Sequence, residues 1–351
     1  MNEEAPHRRR PRYSGKNPRR FAEKYKELSP EKYPETVEKV LASGKTPAGS
    51  HVPIMVEEIL EVLHPRPGET AVDCTLGHGG HASAILARLQ PGGLLLGLDV
   101  DSVELPKTEA RLRGRGSGPD VFKVRRSNFA GILQAMAGEG MEGSDCVLAD
   151  LGVSSMQLDT PGRGFSTKTP GPLDMRMNPE RGISAAQLLK NIPPAPLAAI
   201  LRENADEPRS EQIAAAIAGK EFALTTDLAG AIRAGLHSAA AEEIERSVRR
   251  VFQALRIEVN EEFGALDGLL RVLPACLKPG GRAAILTFHS GEDRRVKKAF
   301  QAGHRAGVYS SIARDVTRPT PAECRANPRA ASAKLRWAVR STPRDLAHRI
   351  E

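Results

Sequence analysis

The residues that could do chemistry cluster around one turn and the strand ends that follow it. Gly77-His78-Gly79-Gly80 lies between an apolar run, residues 71–76, and a helical stretch, residues 82–89. Glycines at a strand-to-helix turn let a ligand approach the backbone closely, and the start of the helix offers free N–H groups to it. Asp99 closes the next apolar run, residues 94–98, about 20 residues past the loop, where an acid can accept hydrogen bonds from a ribose diol. Asp150 closes a further apolar run, and His289 another. Taken singly, each has a plainer reading: the loop as a tight turn, Asp99 as a surface acid and His289 as a structural strand-end histidine. In combination they point to a nucleotide-type cofactor, and both NAD and S-adenosylmethionine suit this geometry. A G-x-G-x-x-G loop would place its third glycine at position 82, which is Ala82; the dinucleotide fingerprint tolerates alanine there, so the loop alone keeps NAD in play.

These residues need a scaffold that brings strand ends together. Strand, glycine turn, helix, strand, acid is the grammar of a doubly wound α/β sheet, and it repeats at residues 121–124 and 146–148. Before it, Ile54, Val56, Ile59, Leu60 and Leu63 recur at helical spacing. After Asp150 the grammar changes. Residues 157–257 contain no convincing strand, open on a Pro/Gly-rich loop and continue as Ala-rich helical stretches. A long amphipathic helix follows, carrying Phe263, Leu266, Leu269, Leu270 and Leu273, and stops at Lys278-Pro279-Gly280-Gly281. Residues 282–288 and 334–339 read as returning strands. The expected organisation is an extension at 1–50, a first sheet segment at 51–156, an inserted helical, substrate-binding subdomain at 157–257 and a second sheet segment at 258–351. No second βαβαβ half suits a nicotinamide, and an insertion of this size suggests a cap over a large substrate.

Composition narrows the class. The 351 residues include 51 Lys and Arg against 43 Asp and Glu, a formal net charge of +8, and are 40% hydrophobic. The basic balance points to an anionic partner, with nucleic acid leading. No stretch of 18 apolar residues is present, so a transmembrane helix is disfavoured, and the charged start lacks the apolar core of a secretory signal. Cys74, Cys146, Cys276 and Cys324 form no C-x-x-C pair, which disfavours a zinc cluster or a disulfide scaffold. A cytoplasmic, reduced protein with no metal is expected. Within residues 1–50, basic residues alternate with Tyr13, Phe21, Tyr25 and Tyr33; such a segment can be a solvated tail or can grip phosphates and stack on bases.

Several further motifs occur in order: His51-Val52-Pro53, Val72-Asp73-x-Thr75-Leu76-Gly77-x-Gly79-Gly80-His81, Asp150-Leu151-Gly152-Val153-Ser154-Ser155-x-Gln157-Leu158-Asp159, Gly171-Pro172-Leu173-Asp174-Met175-Arg176-Met177, Phe252-Gln253-Ala254-Leu255-Arg256-Ile257-x-Val259-Asn260, Phe288-His289-Ser290-x-Glu292-Asp293-Arg294, and Asn327-Pro328-Arg329-Ala330 with Ser332-Ala333-Lys334-Leu335-Arg336. From residue 51 to about 342 the chain resembles the bacterial 16S ribosomal RNA cytosine-N4 methyltransferases, the RsmH/MraW family. The resemblance implies a class I, Rossmann-like, S-adenosylmethionine-dependent methyltransferase sheet with an inserted helical subdomain, acting on 16S ribosomal RNA of the small subunit near the decoding or P site. It carries the cofactor contacts onto Gly79, Gly80, His81, Asp99, Phe129, Asp150 and Gln157. Methylation of an exocyclic amine requires in-line positioning and an acceptor for the amine proton. Asp150 is the first candidate acceptor, and Ser154, Ser155, Asp174 and His289 are candidates for the base pocket. Asp150-Leu151-Gly152-Val153 lacks the Pro-Pro-aromatic run common after the acid in other amino-methyltransferases. Carbon-5 methylation is set aside, because it needs a cysteine nucleophile, usually after a proline, and none of the four follows one. Arg176 and Arg256 suit phosphates or carboxylates, or internal salt bridges. Two other readings stay open: a different RNA or DNA cytosine as target, and a cofactor-binding ribosome-assembly factor without activity. A homodimer is compatible with the sequence and not derivable from it.

Departures from the family pattern lie on the substrate side. Asp99-Val100-Asp101-Ser102 stands where Asp-Arg-Asp-Pro is usual. Phe165-Ser166-Thr167-Lys168-Thr169-Pro170 lacks a usual Arg and Asp, Arg209-Ser210-Glu211-Gln212-Ile213 replaces a more basic segment, and Gly291 replaces Leu. The 50-residue basic extension is unusual for the family.

Overall fold

The computed structural model describes residues 53–347, apart from the side chain of Ser155. The extension and His51-Val52 of the first motif lie outside the described residues. The described chain runs α1 (Val56–Leu63), β1 (Thr70–Asp73), α2 (Gly80–Leu89), β2 (Leu94–Asp99), α3 (Leu105–Gly114), β3 (Phe122–Arg126), α4 (Ile132–Gly138), β4 (Ser144–Asp150) and α5 (Ser155–Asp159). Five helices follow: α6 (Ala185–Asn191), α7 (Pro194–Ala205), α8 (Ser210–Ile217), α9 (Thr225–Gly235) and α10 (Ala241–Val259). Then come α11 (Glu262–Cys276), β5 (Leu277–Thr287), α12 (Ser290–Arg305), β6 (Tyr309–Ile312), α13 (Pro321–Ala326), β7 (Lys334–Arg340) and α14 (Pro343–Ala347).

The seven strands form one sheet in the order β3-β2-β1-β4-β5-β7-β6. The first five are parallel, and β7 runs antiparallel to both β5 and β6. This is the class I methyltransferase sheet implied by the motifs. Successive side chains alternate across it, and both faces are covered, which is why its central strands read as unbroken apolar runs. Ala71, Leu95, Cys146 and Ala284 join α1 and α2 in one hydrophobic layer. Val72, Leu96, Val147 and Ile285 join α4, α11 and α12 in the other. A third apolar cluster lies between β4 and β5 in sequence and is built from residues of α6 to α10 together with Phe165, Leu173 and Met175. Among the described residues of 157–257 the only extended pairing is an isolated bridge, Pro172 to Leu224. The helical starts there have local causes: Ser184 caps α6 in a reciprocal box with Gln187, and Pro194 stands at the first position of α7.

Three expectations are corrected. β1 stops at Asp73 instead of running to residue 76, because the chain turns there. Cys74 N–H still reaches Leu148 O and Leu76 N–H reaches Leu98 O, both at 2.8 Å, so the turn is stitched to β4 on one side and β2 on the other. The strand expected to end at His289 ends at Thr287, and His289 instead precedes the 16-residue helix α12. β5 begins at Leu277, with Lys278-Pro279-Gly280-Gly281 absorbed as an irregularity opposite Ser144 and Cys146.

Candidate active site

The chain runs from β1 through β2 to β3 on one side and then returns to place β4 on the other side of β1. Ligands of such sheets bind at this reversal, outside the carboxyl ends of the strands. Three acids stand there: Asp73, Asp99 and Asp150, the last residues of β1, β2 and β4. Asp99 is oriented by backbone donors, with Gly77 N–H on Oδ2 at 2.7 Å and Asp101 N–H on Oδ1 at 2.9 Å. Each oxygen keeps a second lone pair, as a ribose diol requires. Ser127 N–H bonds Asp99 O at 3.0 Å. That bond brings Asn128-Phe129 alongside, and Asn128 Oδ1 accepts from Ala130 N–H to fix the turn that carries the half-buried Phe129 ring.

Gly79 and Gly80 are glycines for reasons on the protein side. A Cβ on Gly79, which has φ 76°, would meet Thr108 Cγ2 at 2.9 Å, and one on Gly80 would meet Pro53 Cγ at 2.8 Å. The loop is thus pressed between α3 and the start of the described chain. His81 follows, buried on α2. Its Nε2 lies 2.8 Å from Ile54 O, and since a carbonyl only accepts, Nε2 carries the proton and Nδ1 presents its lone pair. Nδ1 faces Asp150 Oδ2 at 3.6 Å. The other oxygen, Asp150 Oδ1, is buried and has no hydrogen-bond partner. Thr75 locks the geometry, with its N–H on Asp73 Oδ1 and its Oγ1 accepting from Asp150 N–H at 2.7 Å.

Burial sets the electrostatics. It pushes Asp150 up to about 7, with the Glu292 charge adding to the effect. It pushes Asp73 up to about 6 against the pull of His81. It raises Asp99 and lowers His81. Several carboxylates deprived of water around one weak base form a site suited to a cation.

The base-pocket candidates part company. Ser154 caps α5, its Oγ accepting Gln157 N–H at 3.3 Å while Gln157 Oε1 accepts Ser154 N–H. Gln157 is buried, and its Nε2 donates to Asp101 at 2.8 Å. Asp174 is clasped by the Arg176 fork at 2.7 and 2.8 Å. Burial alone would raise its carboxyl, but the Arg176 bonds outweigh burial and hold it below the usual range. Among the described residues no hydrogen bond or ion pair joins Asp174 to Asp150, His81 or His289. His289 Nε2 sits 3.2 Å from Glu292 Oε1 and its ring is tilted against Phe263. Gly291 leaves room for that ring, since a Cβ there would meet Phe263 Cζ at 2.6 Å. Arg256 and Arg176 are both internal pairs; Arg256 takes both oxygens of Glu262 at 2.8 Å. Ligand atoms of Glu262, His289 and Glu292 also approach one another closely enough for a metal, but a cation there would compete with the Arg256 guanidinium already on Glu262.

Sequence reasoning missed three positioning residues. Buried Asp101 receives Gln157 and Arg163. Asn260 pins Met175 O and Met177 N–H. Buried Glu292 accepts Phe288 N–H at 2.8 Å and reaches Asp150 with its charge. Asn260 and Glu292 stand within the ordered motifs; a polar residue next to an element boundary was the available signal.

The sulfonium and ammonium of S-adenosylmethionine are the kind of charge that the unpartnered Asp150 oxygen and the desolvated acids around it call for, so the residues fit the group. Together with the sheet order this makes the protein a class I, S-adenosylmethionine-dependent methyltransferase. The chain belongs to the MraW methylase family, whose model matches residues 48–341. It is 50% identical over 350 residues to ribosomal RNA small subunit methyltransferase H 1 of Agathobacter rectalis, covering 97% of this chain and 100% of that one. It is 51% identical over 349 residues to methyltransferase H 2 of Alkaliphilus metalliredigens, with 97% and 99% covered. The match to methyltransferase H of Heliobacterium modesticaldum is 41% identical and covers 82% of this chain and 97% of that one. A coverage of 97% leaves only about ten residues unaligned, so most of the basic extension has a counterpart in the first two relatives. The extension is therefore not an oddity of this chain, although the third relative matches a shorter part of it. No helix among the described residues is long and apolar enough to cross a membrane.

Proposed function

We propose that this protein transfers a methyl group from S-adenosylmethionine to the exocyclic N4 amine of a cytosine in 16S ribosomal RNA of the small ribosomal subunit, near the decoding or P site. The helical residues 157–257 are the subdomain that meets the RNA, and the protein works in the cytoplasm, in keeping with its four free cysteines. The names of the relatives support the RNA, and the unpartnered Asp150 Oδ1 carries the chemistry.

When bound, the cofactor supplies an electrophilic methyl group on a cationic sulfur. The cytosine N4 lone pair is delocalised into the ring, so the protein must hold the amine in line and localise that pair. Asp150 does both from the end of β4: its carboxylate accepts an amine N–H, and Thr75 Oγ1 holds the Asp150 backbone N–H that sets the strand end. Methyl transfer would leave positive charge on the amine nitrogen, and Asp150 would take the surplus proton. A base with a pKa near 7 is suited to accepting a proton at neutral pH. Asp99 binds the ribose hydroxyls, Phe129 walls the adenine, and Gly79, Gly80 and His81 shape the turn around the methionine moiety. Ser154, Gln157 and Asp174 act by fixing the loops that frame the base, and His289 lines the far side with Glu292.

Incubating the purified protein with unmethylated 30S subunits and methyl-labelled cofactor, then digesting the RNA to nucleosides, tests this reading. The label is expected in N4-methylcytidine at one position of 16S RNA. Label on another base, or none, overturns it.

A further inference from the structure

Asp101 has no place in the chemistry above, yet its side chain is only 2% exposed and it forms an ion pair. Its Oδ1 accepts Val103 and Glu104 N–H at 2.9 and 3.1 Å, tying it to the start of α3. Its Oδ2 accepts Gln157 Nε2 at 2.8 Å and Arg163 Nη1 at 2.9 Å. Its own N–H holds the ribose acid Asp99. From the other end of the fork, Arg163 Nη2 donates to Met177 O at 2.7 Å and Arg176 O at 3.2 Å. Asn260, at the end of α10, then grips Met177 N–H and Met175 O. One continuous run of hydrogen bonds thus joins the cofactor acid to the loop that opens the helical segment and to the helix that closes it.

A buried ion pair is a costly way to gain stability, since apolar residues of similar size often serve as well. What it adds is direction: a planar guanidinium satisfies a carboxylate and two carbonyls in one arrangement only. We propose that the Asp101–Arg163 ion pair is a positioning device for methyl transfer, holding the RNA-bearing helical segment in register with the cofactor acid Asp99 so that the target amine meets the methyl group in line. The proposal rests on residues 157–257 carrying the RNA. Asp101 and Arg163 touch no reacting atom; they act through Asp99, Gln157 and residues 175–177.

The test compares wild type with Arg163→Gln, Arg163→Lys, Asp101→Asn and the Asp101→Asn/Arg163→Gln double variant. Arg163→Gln is expected to lower kcat on 30S subunits by about 100-fold, the cost of a misplacement near 1 Å. Its affinity for S-adenosylhomocysteine, read by calorimetry, is expected to stay near wild type. Arg163→Lys keeps the counter-charge and should recover part of kcat. The double variant should lose no more than the worse single variant, because both changes undo one device. Amide exchange of the RNA-free protein gives a readout independent of substrate: in Arg163→Gln, residues 176–177 should lose protection while β1 and β2 keep theirs. Unchanged exchange at 176–177 overturns the clasp whatever the substrate is. Wild-type kcat in Arg163→Gln, or a kcat loss matched by an equal loss of cofactor affinity, overturns its role in positioning. If wild type fails to methylate 30S subunits, the functional reading falls, and the exchange result alone then decides whether the clasp exists.

Discussion

At the scale of single residues, the site is governed by what burial does to acids. At Asp99 burial raises the carboxyl, and the Gly77 and Asp101 donors on its two oxygens offset part of that cost. Replacing Asp99 with alanine would remove the acceptor proposed for the ribose and free two backbone donors. Asp99→Ala should weaken binding of S-adenosylhomocysteine by about 1–3 kcal/mol, measured by calorimetry; unchanged affinity would refute the ribose role. Asp150 carries the larger penalty. Its pKa near 7 means that at pH 6 most of the population is protonated and cannot accept an amine proton. With Asp150 as the acceptor, methyl transfer should rise as pH increases toward 7 and level off above it. An approaching cation stabilises the carboxylate and moves the midpoint of that rise lower.

At the scale of elements, the strands carry acids to one edge and the loops aim them. Asn260 shows how much a single side chain can hold, taking Met177 N–H, Met175 O and Arg256 O at 2.7 to 2.8 Å. Met175 has a positive φ of 62°, a conformation that a methionine keeps only under such restraint. Asn260→Ala should destabilise the protein by about 1–3 kcal/mol through the unpaired backbone groups, read from urea unfolding. A decrease in stability under about 0.5 kcal/mol, the scale of ordinary surface changes, would show that the loop holds itself. Much of this architecture was legible in the sequence. β1, β2, β4 and β5 are apolar on both faces, and an acid at the carboxyl end of each of β1, β2 and β4 marks the edge proposed to hold the cofactor. β6 was not legible: Tyr309-Ser310-Ser311-Ile312 is a short edge strand with mixed polarity. Nor was α12, whose buried residues, Glu292, Val296 and Phe300, are sparse in a charged helix. The roles of Asp101, Arg163 and Asn260 were hidden for another reason. The bonds that tie Asp101 to Gln157 and Arg163, and Asn260 to residues 175 and 177, span 56 to 85 residues, beyond any local spacing rule. Asp174 and Ser154 were hidden differently: their residue types suggested a base pocket, and their side chains are spent on Arg176 and on a helix cap.

At the scale of the molecule, the charge that first suggested a nucleic acid partner is unevenly spread. Residues 1–20 contain seven basic and two acidic residues, 7 − 2 = +5, which leaves 44 − 41 = +3 for the remainder. The charge of the extension is thus concentrated in residues 8–20, with seven basic and no acidic residues, and most of the extension aligns with relatives that cover 97% of the chain. Deleting residues 1–20 should weaken binding to 30S subunits and flatten its dependence on salt. Each phosphate that the extension no longer neutralises takes about one unit from the slope of log K against log salt. An identical slope would show that the extension does not touch RNA. On the proposed reading the sheet and its insertion supply the reaction itself, with Asp150 at the end of β4 as its acceptor. The most direct measurement is the single-turnover rate of N4-methylcytidine formation on 30S subunits from about pH 5.5 to 9, for wild type and Asp150→Asn. Wild type should gain rate with unit slope below a midpoint at or under about 7, and Asp150→Asn should be slower by about 10²–10⁴-fold without that rise. An asparagine variant with the wild-type rate and pH profile would contradict proton acceptance by Asp150.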